Sequence, residues 1–395
     1  MDTVAIVGGG LAGYTVARTL RDRGHTGRIV VIGSEHHRPY DRTPLSKGYL
    51  AGEQDHASLM FDADDDPLDA EWVLGRAAVG LDIGSRTLSL DDGTSLDADE
   101  IVIATGSTPV PLAGPCGAAS VSAAHVLGTI EHADGLRGAL VPGATVVVAG
   151  GGFVGLEVAA TALTLGAAAV TVITSDPEPL ARFGPEASRA IRLLHERRGI
   201  RFVTGGRVAR VEEDAAGTPL GVRLTDDTLV PGTVVVAGIG SFPNTGWLDG
   251  SGLELSPRRA IVCDTSGRAA PGIRAAGDCA AWAGDPCAHW TLAQQQAQHI
   301  ALDLLAPGHT PAHTEQPYLW SDQHGTRLQF AGRLRGDEIA TLEAGSVEGG
   351  DPLLVYRDRL GAEVAVLGIG QARAITRWRK LNRLPPLVAG SPEPV

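Results

Sequence analysis

Two glycine clusters carry the strongest chemical signal in this chain of 395 residues. Val4-Ala5-Ile6-Val7 runs into Gly8-Gly9-Gly10-Leu11-Ala12-Gly13, and Val146-Val147-Val148-Ala149 runs into Gly150-Gly151-Gly152-Phe153-Val154-Gly155. Each is an apolar strand, a glycine turn and the start of a helical stretch. The first glycine of each set (Gly8, Gly150) allows a tight turn. The second (Gly10, Gly152) lets the backbone approach a pyrophosphate, and the third (Gly13, Gly155) lets the helix pack on the strand. Phosphates then sit at a helix N-terminus, where free N–H groups and the helix dipole favour negative charge. About twenty residues past the first fingerprint, the strand Arg28-Ile29-Val30-Val31-Ile32-Gly33 ends at Ser34 and Glu35, either of which is placed to hold a ribose hydroxyl. Two fingerprints in one chain imply two nucleotide cofactors face to face, one a flavin and the other a nicotinamide.

The elements that must position these loops fall into three sections. The first fingerprint opens a βαβ unit over about residues 1–35. Short strands at 77–82, 87–90 and 94–96 then lead to an apolar strand ending in Ala104-Thr105-Gly106. Pro109, Pro111 and Pro115 mark a linker. The second βαβ begins near residue 144, with helices at 155–165 and 185–198 and a strand reaching Gly240. The chain then returns to the first section through Gly272–Asp278 and a helix at 291–305. From 317 onward, alternating strands at 328–332, 338–342, 353–357 and 363–368 precede a basic helix. The expected fold is therefore α/β, with two Rossmann-like three-layer nucleotide-binding domains and a C-terminal α+β domain.

Composition bounds the function. Hydrophobic residues make up 43% of the chain, an ordinary globular value, and the formal charge of −13 argues against nucleic acid as a main partner. Cys116, Cys263, Cys279 and Cys287 form no C-x-x-C and have no metal-site spacing with histidine. They read as reduced thiols of a cytoplasmic protein, and no basic signal-peptide start is present. The apolar window 144–174 is broken by glycines and by Glu157, so it reads as strand–turn–helix–strand and no membrane association is expected.

Further motifs sharpen the reading: Pro39-Tyr40-Asp41-Arg42-Thr43-Pro44-Leu45-Ser46-Lys47, Ala104-Thr105-Gly106, Gly152-Phe153-Val154-Gly155-Leu156-Glu157, Ala275-Ala276-Gly277-Asp278 and Tyr318-Leu319-Trp320-Ser321-Asp322-Gln323. Their order and spacing resemble the flavin-dependent NAD(P)H:ferredoxin reductases of bacterial oxygenase systems, the putidaredoxin reductase type, in the superfamily of apoptosis-inducing factor. The resemblance implies an FAD domain at 1–112 and 241–316, an NAD(P) domain at 113–240, and a C-terminal domain at 317–395 that covers the flavin. It implies that Asp278 binds the ribitol end of FAD, that the backbone near Trp290 contacts the isoalloxazine, and that Ala12, Arg42, Val79, Ala104, Thr105 and Gly106 complete that site. Phe153, Val154, Thr174, Arg182 and Gly240 would then hold the nicotinamide dinucleotide.

Lys47 and Glu157 would pair close to the flavin where nicotinamide stacks. Leaving one member of such a pair buried alone costs about 3–5 kcal/mol, so their coexistence favours a true pair. Trp320 would lie on the side from which electrons leave, or serve as domain-interface packing. Hydride transfer to a flavin needs stacking, alignment and dry surroundings rather than a strong base. That matches a chain without a nucleophilic triad or metal cluster. A disulfide reductase would need a redox cysteine pair beside the flavin, which this chain lacks.

The implied electron acceptor is a small acidic ferredoxin, and through it an oxygenase. A reductase of net charge −13 needs a local basic patch to receive it. Arg373, Arg377, Arg379, Lys380 and Arg383, with Arg333 and Arg335, supply one. A monomer or weak homodimer is expected. Two departures from the family pattern bear on the cofactors. Thr174 stands where the family places a Glu that holds the adenosine ribose. Arg182 would attract a 2′-phosphate, while Asp176 and Glu178 would repel it, so NADH is the expected donor with NADPH left open. Gly128, in Leu127-Gly128-Thr129, replaces an Arg that contacts FAD. Gly128→Arg is expected to tighten FAD binding unless Arg42 already fills that role. Two competing readings remain: an NADH oxidase or quinone or small-molecule reductase, and a redox-sensing interaction protein.

Overall fold

The computed structural model describes residues 2–62, 68–114, 117–121, 123–286, 289–310 and 317–382. Cys116, Cys287 and Arg383 lie outside the described residues. Three sheets organise the chain. The first has six strands in the order Arg268–Ala270, Ile273–Ala275, Glu100–Ile103, Thr3–Val7, Arg28–Gly33 and Glu71–Leu74. All neighbours are parallel except the outermost hairpin, Arg268–Ala270 with Ile273–Ala275. Val4, Ala5, Ile6 and Val7 are all buried, as expected of a central parallel strand covered on both faces. The pairing of Ile273 with Ile101 shows that the chain returns to this sheet after leaving it.

The second sheet is fully parallel, in the order His125–Val126, Val234–Ala237, Thr145–Ala149, Ala169–Thr174 and Arg201–Thr204. A two-stranded antiparallel ladder, Ser107–Pro109 with Ser241–Pro243, carries the chain out towards this sheet and back. The third sheet is antiparallel: Tyr318–Gln323, Thr326–Gly332, Glu363–Ile369, Leu353–Arg357 and Ile339–Ala344. One face packs under helix Ala372–Leu381 through Ile375 and Trp378. The other joins the core of the second sheet, where Phe330 and Tyr356 meet Phe183, and the Tyr356 hydroxyl donates to the Phe183 carbonyl at 2.7 Å.

The glycine fingerprints fold for a definite steric reason. Gly8 has φ +124°, and a Cβ there would stand 2.1 Å from the carbonyl oxygen of Ala104, on the neighbouring strand's exit. Gly150 repeats this with φ +120° and 2.1 Å to the carbonyl oxygen of Gly238. The helices that follow, Leu11–Asp22 and Phe153–Thr164, have glycine N-caps and no side-chain cap, so their first N–H groups are left for a ligand. The sequence reading missed helix Ile130–Ala139 and strand Glu71–Leu74. The helix is short, its apolar spacing is weak, and its start depends on Thr129, whose hydroxyl accepts from the His132 N–H at 3.3 Å.

Helix Trp290–Leu305 packs beside Leu11–Asp22 and is pinned to the first sheet by a buried ion cluster. Arg274 donates to Asp303 at 2.9 Å and also contacts Glu100, while Arg268 reaches Asp303 at 3.4 Å. Arg274 and Asp303 are each 3% exposed, so neither charge is relieved by water. Burial alone would push the Asp303 carboxyl up, but the Arg274 hydrogen bond, the Gly308 N–H and the two arginine charges hold it below its ordinary value. Replacing Arg274 by Met leaves Asp303 buried and poorly matched, so Arg274→Met should destabilise the fold by about 3 kcal/mol or more. Thermal denaturation of the variant checks this, and Arg274→Met with Asp303→Leu should recover part of the loss.

Candidate active site

Two cavities open at the strand exits. The first, about 580 Å³, is lined by the first fingerprint (Gly8, Gly10, Ala12), by Ser34 and Glu35, by Arg42, by Ala104, Thr105 and Gly106, and by Asp278 and Trp290. Gly13 lies behind the wall, where a Cβ would stand 2.0 Å from the Gly8 carbonyl oxygen. Glu35 is gripped by the Tyr40 hydroxyl at 2.6 Å and by Arg42 at 2.5 Å. Burial, reinforced by Glu35, keeps the Tyr40 phenol protonated. Asp278 accepts from the Ser107 hydroxyl at 2.9 Å; burial pushes its carboxyl up, and Ser107 and Arg42 oppose that. The preceding residue is fixed by Gln296, whose side-chain carbonyl accepts the Gly277 N–H at 3.0 Å. Val79 turns to solvent, 52% exposed, because strand side chains alternate; Ala77 and Ala78 form the wall there instead.

The first cavity fits FAD on observations of its own. Gly10 has open space where a side chain would stand, at the mouth of an uncapped helix. Trp290 presents a buried indole N–H with no hydrogen-bond partner, and His132 presents a buried Nδ1 in the same state. Buried polar groups without partners are rare, and two of them on one cavity wall mark places for a polar ligand. His132 escaped the sequence reading because its helix did. The signal was present as Thr129 three residues before it, the N-cap spacing.

The second cavity, about 1000 Å³, is lined by Gly150, Gly152, Phe153, Val154, Thr174, Arg182 and Gly240, with Ser175 and Asp176 at the end of strand Ala169–Thr174 and Arg207 beyond strand Arg201–Thr204. Gly155 again sits behind the wall, against the Gly150 carbonyl. The Thr174 hydroxyl accepts from the Asp176 N–H at 3.2 Å. Arg182 lies over the Phe153 and Phe183 rings at 5.5 and 4.7 Å, and burial lowers its pKa. Glu178 is turned away into an ion pair with Arg192 at 3.1 Å, which leaves Asp176 as the acid at this end of the cavity. Arg42, Ser107, Pro109, Gly128 and Asp278 line both cavities, so the two spaces meet at one shared wall.

Lys47 and Glu157 are brought together: Nζ lies 2.7 Å from Oε2. Neither lines either of these two cavities. The contact with the second cavity is made by Ser46, which lies on its wall and whose hydroxyl donates to Glu157. Glu157 is 4% exposed and also accepts from the Ser321 hydroxyl at 2.6 Å. Trp320 is half-buried, stacks on Tyr318 with ring centroids 5.8 Å apart, and meets Trp290 edge-on at 5.8 Å. Arg379 lies 4.0 Å over the Tyr318 ring. The basic cluster divides. Arg373, Arg377 and Lys380 share an exposed face of helix Ala372–Leu381, and Arg335 is exposed on a loop. Arg333 is half-buried, with its pKa pushed down to about 10 by burial and by Arg335, so it does not belong to the exposed face. Cys263 and Cys279 are buried free thiols.

Comparison with known proteins places the same architecture elsewhere. Residues 2–297 match the family model described as pyridine nucleotide-disulphide oxidoreductase. A probable ferredoxin reductase, CtmF, of Castellaniella defragrans is 38% identical over 363 residues, covering 86% of each chain. The ferredoxin–NAD(+) reductase component of the biphenyl dioxygenase system of Paraburkholderia xenovorans is 33% identical over 386 residues, covering 94% of this chain and 91% of its own. Among solved structures, the covalent putidaredoxin reductase–putidaredoxin complex matches with a TM-score of 0.89 at 31% identity, covering 96% of this chain and 92% of that one.

The wall around Gly128 revises one expectation. A Cβ on Gly128 would stand 2.8 Å from the Pro109 ring, and Arg42 already donates to the Gly128 carbonyl at 2.5 Å. Gly128→Arg should therefore weaken FAD retention, not tighten it. His132 Nδ1 lies 3.8 Å from the same point. A hydrogen bond to a charged group contributes about 1.5–3 kcal/mol, so His132→Ala should weaken FAD binding by about tenfold or more. Flavin loss on dilution measures both; tighter FAD in Gly128→Arg would mean that the Pro109 wall yields.

Proposed function

The chain belongs to the pyridine nucleotide-disulphide oxidoreductase family, and on that premise we propose that it is an FAD-dependent NADH:ferredoxin reductase of an oxygenase system. The observation that carries this reading is the shared wall of two fingerprint cavities, which would bring a flavin and a nicotinamide ring into contact. The absence of a redox cysteine pair among the described residues fits an enzyme whose electrons leave the flavin directly. The names of relatives at 33–38% identity over most of the chain point to the same acceptor class.

In this reading residues 1–112 and 241–316 hold FAD, 113–240 hold the nicotinamide dinucleotide, and 317–395 cover the flavin. Bound FAD supplies the step from a two-electron hydride donor to a one-electron acceptor. The chain supplies position and charge. Gly8–Gly10 and the uncapped helix behind them take the diphosphate, Glu35 takes the ribose, and Asp278 takes the ribitol hydroxyls. Ser46 and the Lys47–Glu157 pair brace the wall where the two rings meet and keep it closed to water. Trp290 and Trp320 would lie on the side from which electrons leave a bound flavin, and the exposed face of Arg373, Arg377 and Lys380 would receive an acidic ferredoxin.

Two outcomes test this. Thr174 supplies no carboxylate to repel a 2′-phosphate, and Asp176 alone opposes Arg182 and Arg207, so kcat/KM should favour NADH over NADPH by only about tenfold. Thr174→Glu should widen that ratio by a further factor of about ten, and a strong NADPH preference in the natural chain would overturn the assignment. Ferredoxin-coupled cytochrome c reduction should fall steeply with added salt, and in Arg377→Glu with Lys380→Glu, while direct ferricyanide reduction barely changes. Equal salt response in the two assays would remove the basic face from the path.

A further inference from the structure

A line of buried polar side chains runs from Glu157 away from both cavities, and no part of the reaction outlined above uses its far end. Ser321 Oγ lies 2.6 Å from Glu157 Oε1, and Gln323 Nε2 lies 2.9 Å from Ser321 Oγ. His195 Nε2 lies 2.8 Å from Gln323 Oε1, and His324 Nε2 lies 3.1 Å from His195 Nδ1. Ser321 and His195 are fully enclosed, and Gln323 is 1% exposed. The line joins helix Phe153–Thr164, helix Pro185–Glu196 and the hairpin that links Tyr318–Gln323 to Thr326–Gly332.

The charge on Glu157 fixes every proton along it. A carboxylate paired with Lys47 can only accept, so the single Ser321 hydroxyl proton must point at Glu157. Ser321 Oγ can then only accept, which turns the Gln323 NH₂ towards it and the Gln323 carbonyl towards His195. A carbonyl oxygen also only accepts, so His195 carries its proton on Nε2. Its Nδ1 is left as an acceptor and takes the proton on His324 Nε2. His195 must stay neutral for this, since its Nδ1 accepts, whereas His324 donates from Nε2 in either charge state. Burial, then the nearby charge of Arg198, holds His195 down to about 4 against the opposing Gln323 bond. Burial, His195 and Arg198 hold His324 at about 4.

We propose that His324, His195, Gln323 and Ser321 form a one-way hydrogen-bond relay, with every donor aimed at Glu157, and that they are positioning residues for the Lys47–Glu157 pair. Aligned donors polarise one another in a dry interior, so the far histidine strengthens the hold on the carboxylate. The turn supports the assignment. His324 and Gly325 both have positive φ, 53° and 71°, the conformation of a tight hairpin that Asn-Gly or Gly-Gly fills most easily. This backbone conformation sets the His324 ring against His195.

The proposal rests on the reading that Lys47 and Glu157 brace the contact between flavin and nicotinamide, and the test separates the two. In FAD-loaded protein, long-range nitrogen–proton spectra should show His195 and His324 as neutral Nε2–H tautomers at pH 7. Single-turnover flavin reduction by NADH should slow about tenfold in Ser321→Ala and in the near-isosteric Gln323→Leu, with the NADH dissociation constant unchanged. Ser321→Thr, which keeps the hydroxyl, should recover most of the rate. An Nδ1–H tautomer at either ring, or wild-type rates in both Ser321→Ala and Gln323→Leu, would overturn the relay. A natural chain whose flavin NADH fails to bleach would instead sink the functional reading, and the tautomer spectra would still decide the relay.

Discussion

A carboxylate buried with nowhere to put its charge constrains the arrangement of all three sheets. Glu157 sits on the second turn of a helix that is almost wholly enclosed. Ionised and alone there, it would cost several kcal/mol. Its partners come from opposite ends of the chain: Ser46 and Lys47 from the loop after the first βαβ unit, and Ser321 from the hairpin of the third sheet. Thr161, one turn along the same helix, accepts none of this charge but donates to the Ser46 carbonyl at 2.8 Å and so fixes the loop. The nucleotide-binding units can be satisfied singly by their own glycine turns. The carboxylate is satisfied only when all three regions meet in one register, and that register also brings the two cavities to a common wall.

The local parts of this were legible because each has a short-range signature. Apolar runs ending in spaced glycines gave both fingerprints, and the return of the chain to the first sheet followed from the small residues before Asp278. Strand and helix edges fell within a few residues of their expected places, as at Thr87–Leu90, Leu353–Arg357 and Pro185–Glu196. What stayed hidden depended on long-range company. Nothing near Arg274 in sequence announces a partner at Asp303 or Glu100. His195 looks like one more scattered histidine until the hairpin at 323–326 lies against its helix. The strand's alternation turns the Val79 side chain to solvent, and Arg333 is half-buried although it lies in a basic section. Motif order predicted the Lys47–Glu157 pair, but not that Ser46 stands between it and the open cavity.

Charge distribution follows the same division between what is local and what is summed. Beyond the screening length, roughly 8–10 Å at physiological salt, the −13 charge of the chain is largely hidden from an acidic partner. Within that length the exposed arginines and lysine of helix Ala372–Leu381 dominate. Ile375 and Trp378 hold the opposite face of the helix on the sheet, so the cations are presented by a rigid element and not by a tail. Arg379 takes neither side. It lies over Tyr318, at the end of the aromatic run that reaches Trp290 on the first cavity.

The duplication itself explains why one cofactor would stay and the other would leave. Both copies use the same turn, the same close approach to a neighbouring carbonyl and the same uncapped helix. They diverge at the end of the second strand. In the first copy Glu35 is locked by Tyr40 and Arg42, so a ribose meets a preorganised acceptor and little entropy is lost on binding. Around it Asp278, His132 and Trp290 add polar groups already enclosed by the fold. In the second copy Thr174 offers a single hydroxyl, and Ser175 and Asp176 beside it are exposed. A ligand there must order part of its own site. Weak retention is what turnover requires of a substrate that arrives reduced and departs oxidised, whereas the flavin must remain to meet the next one.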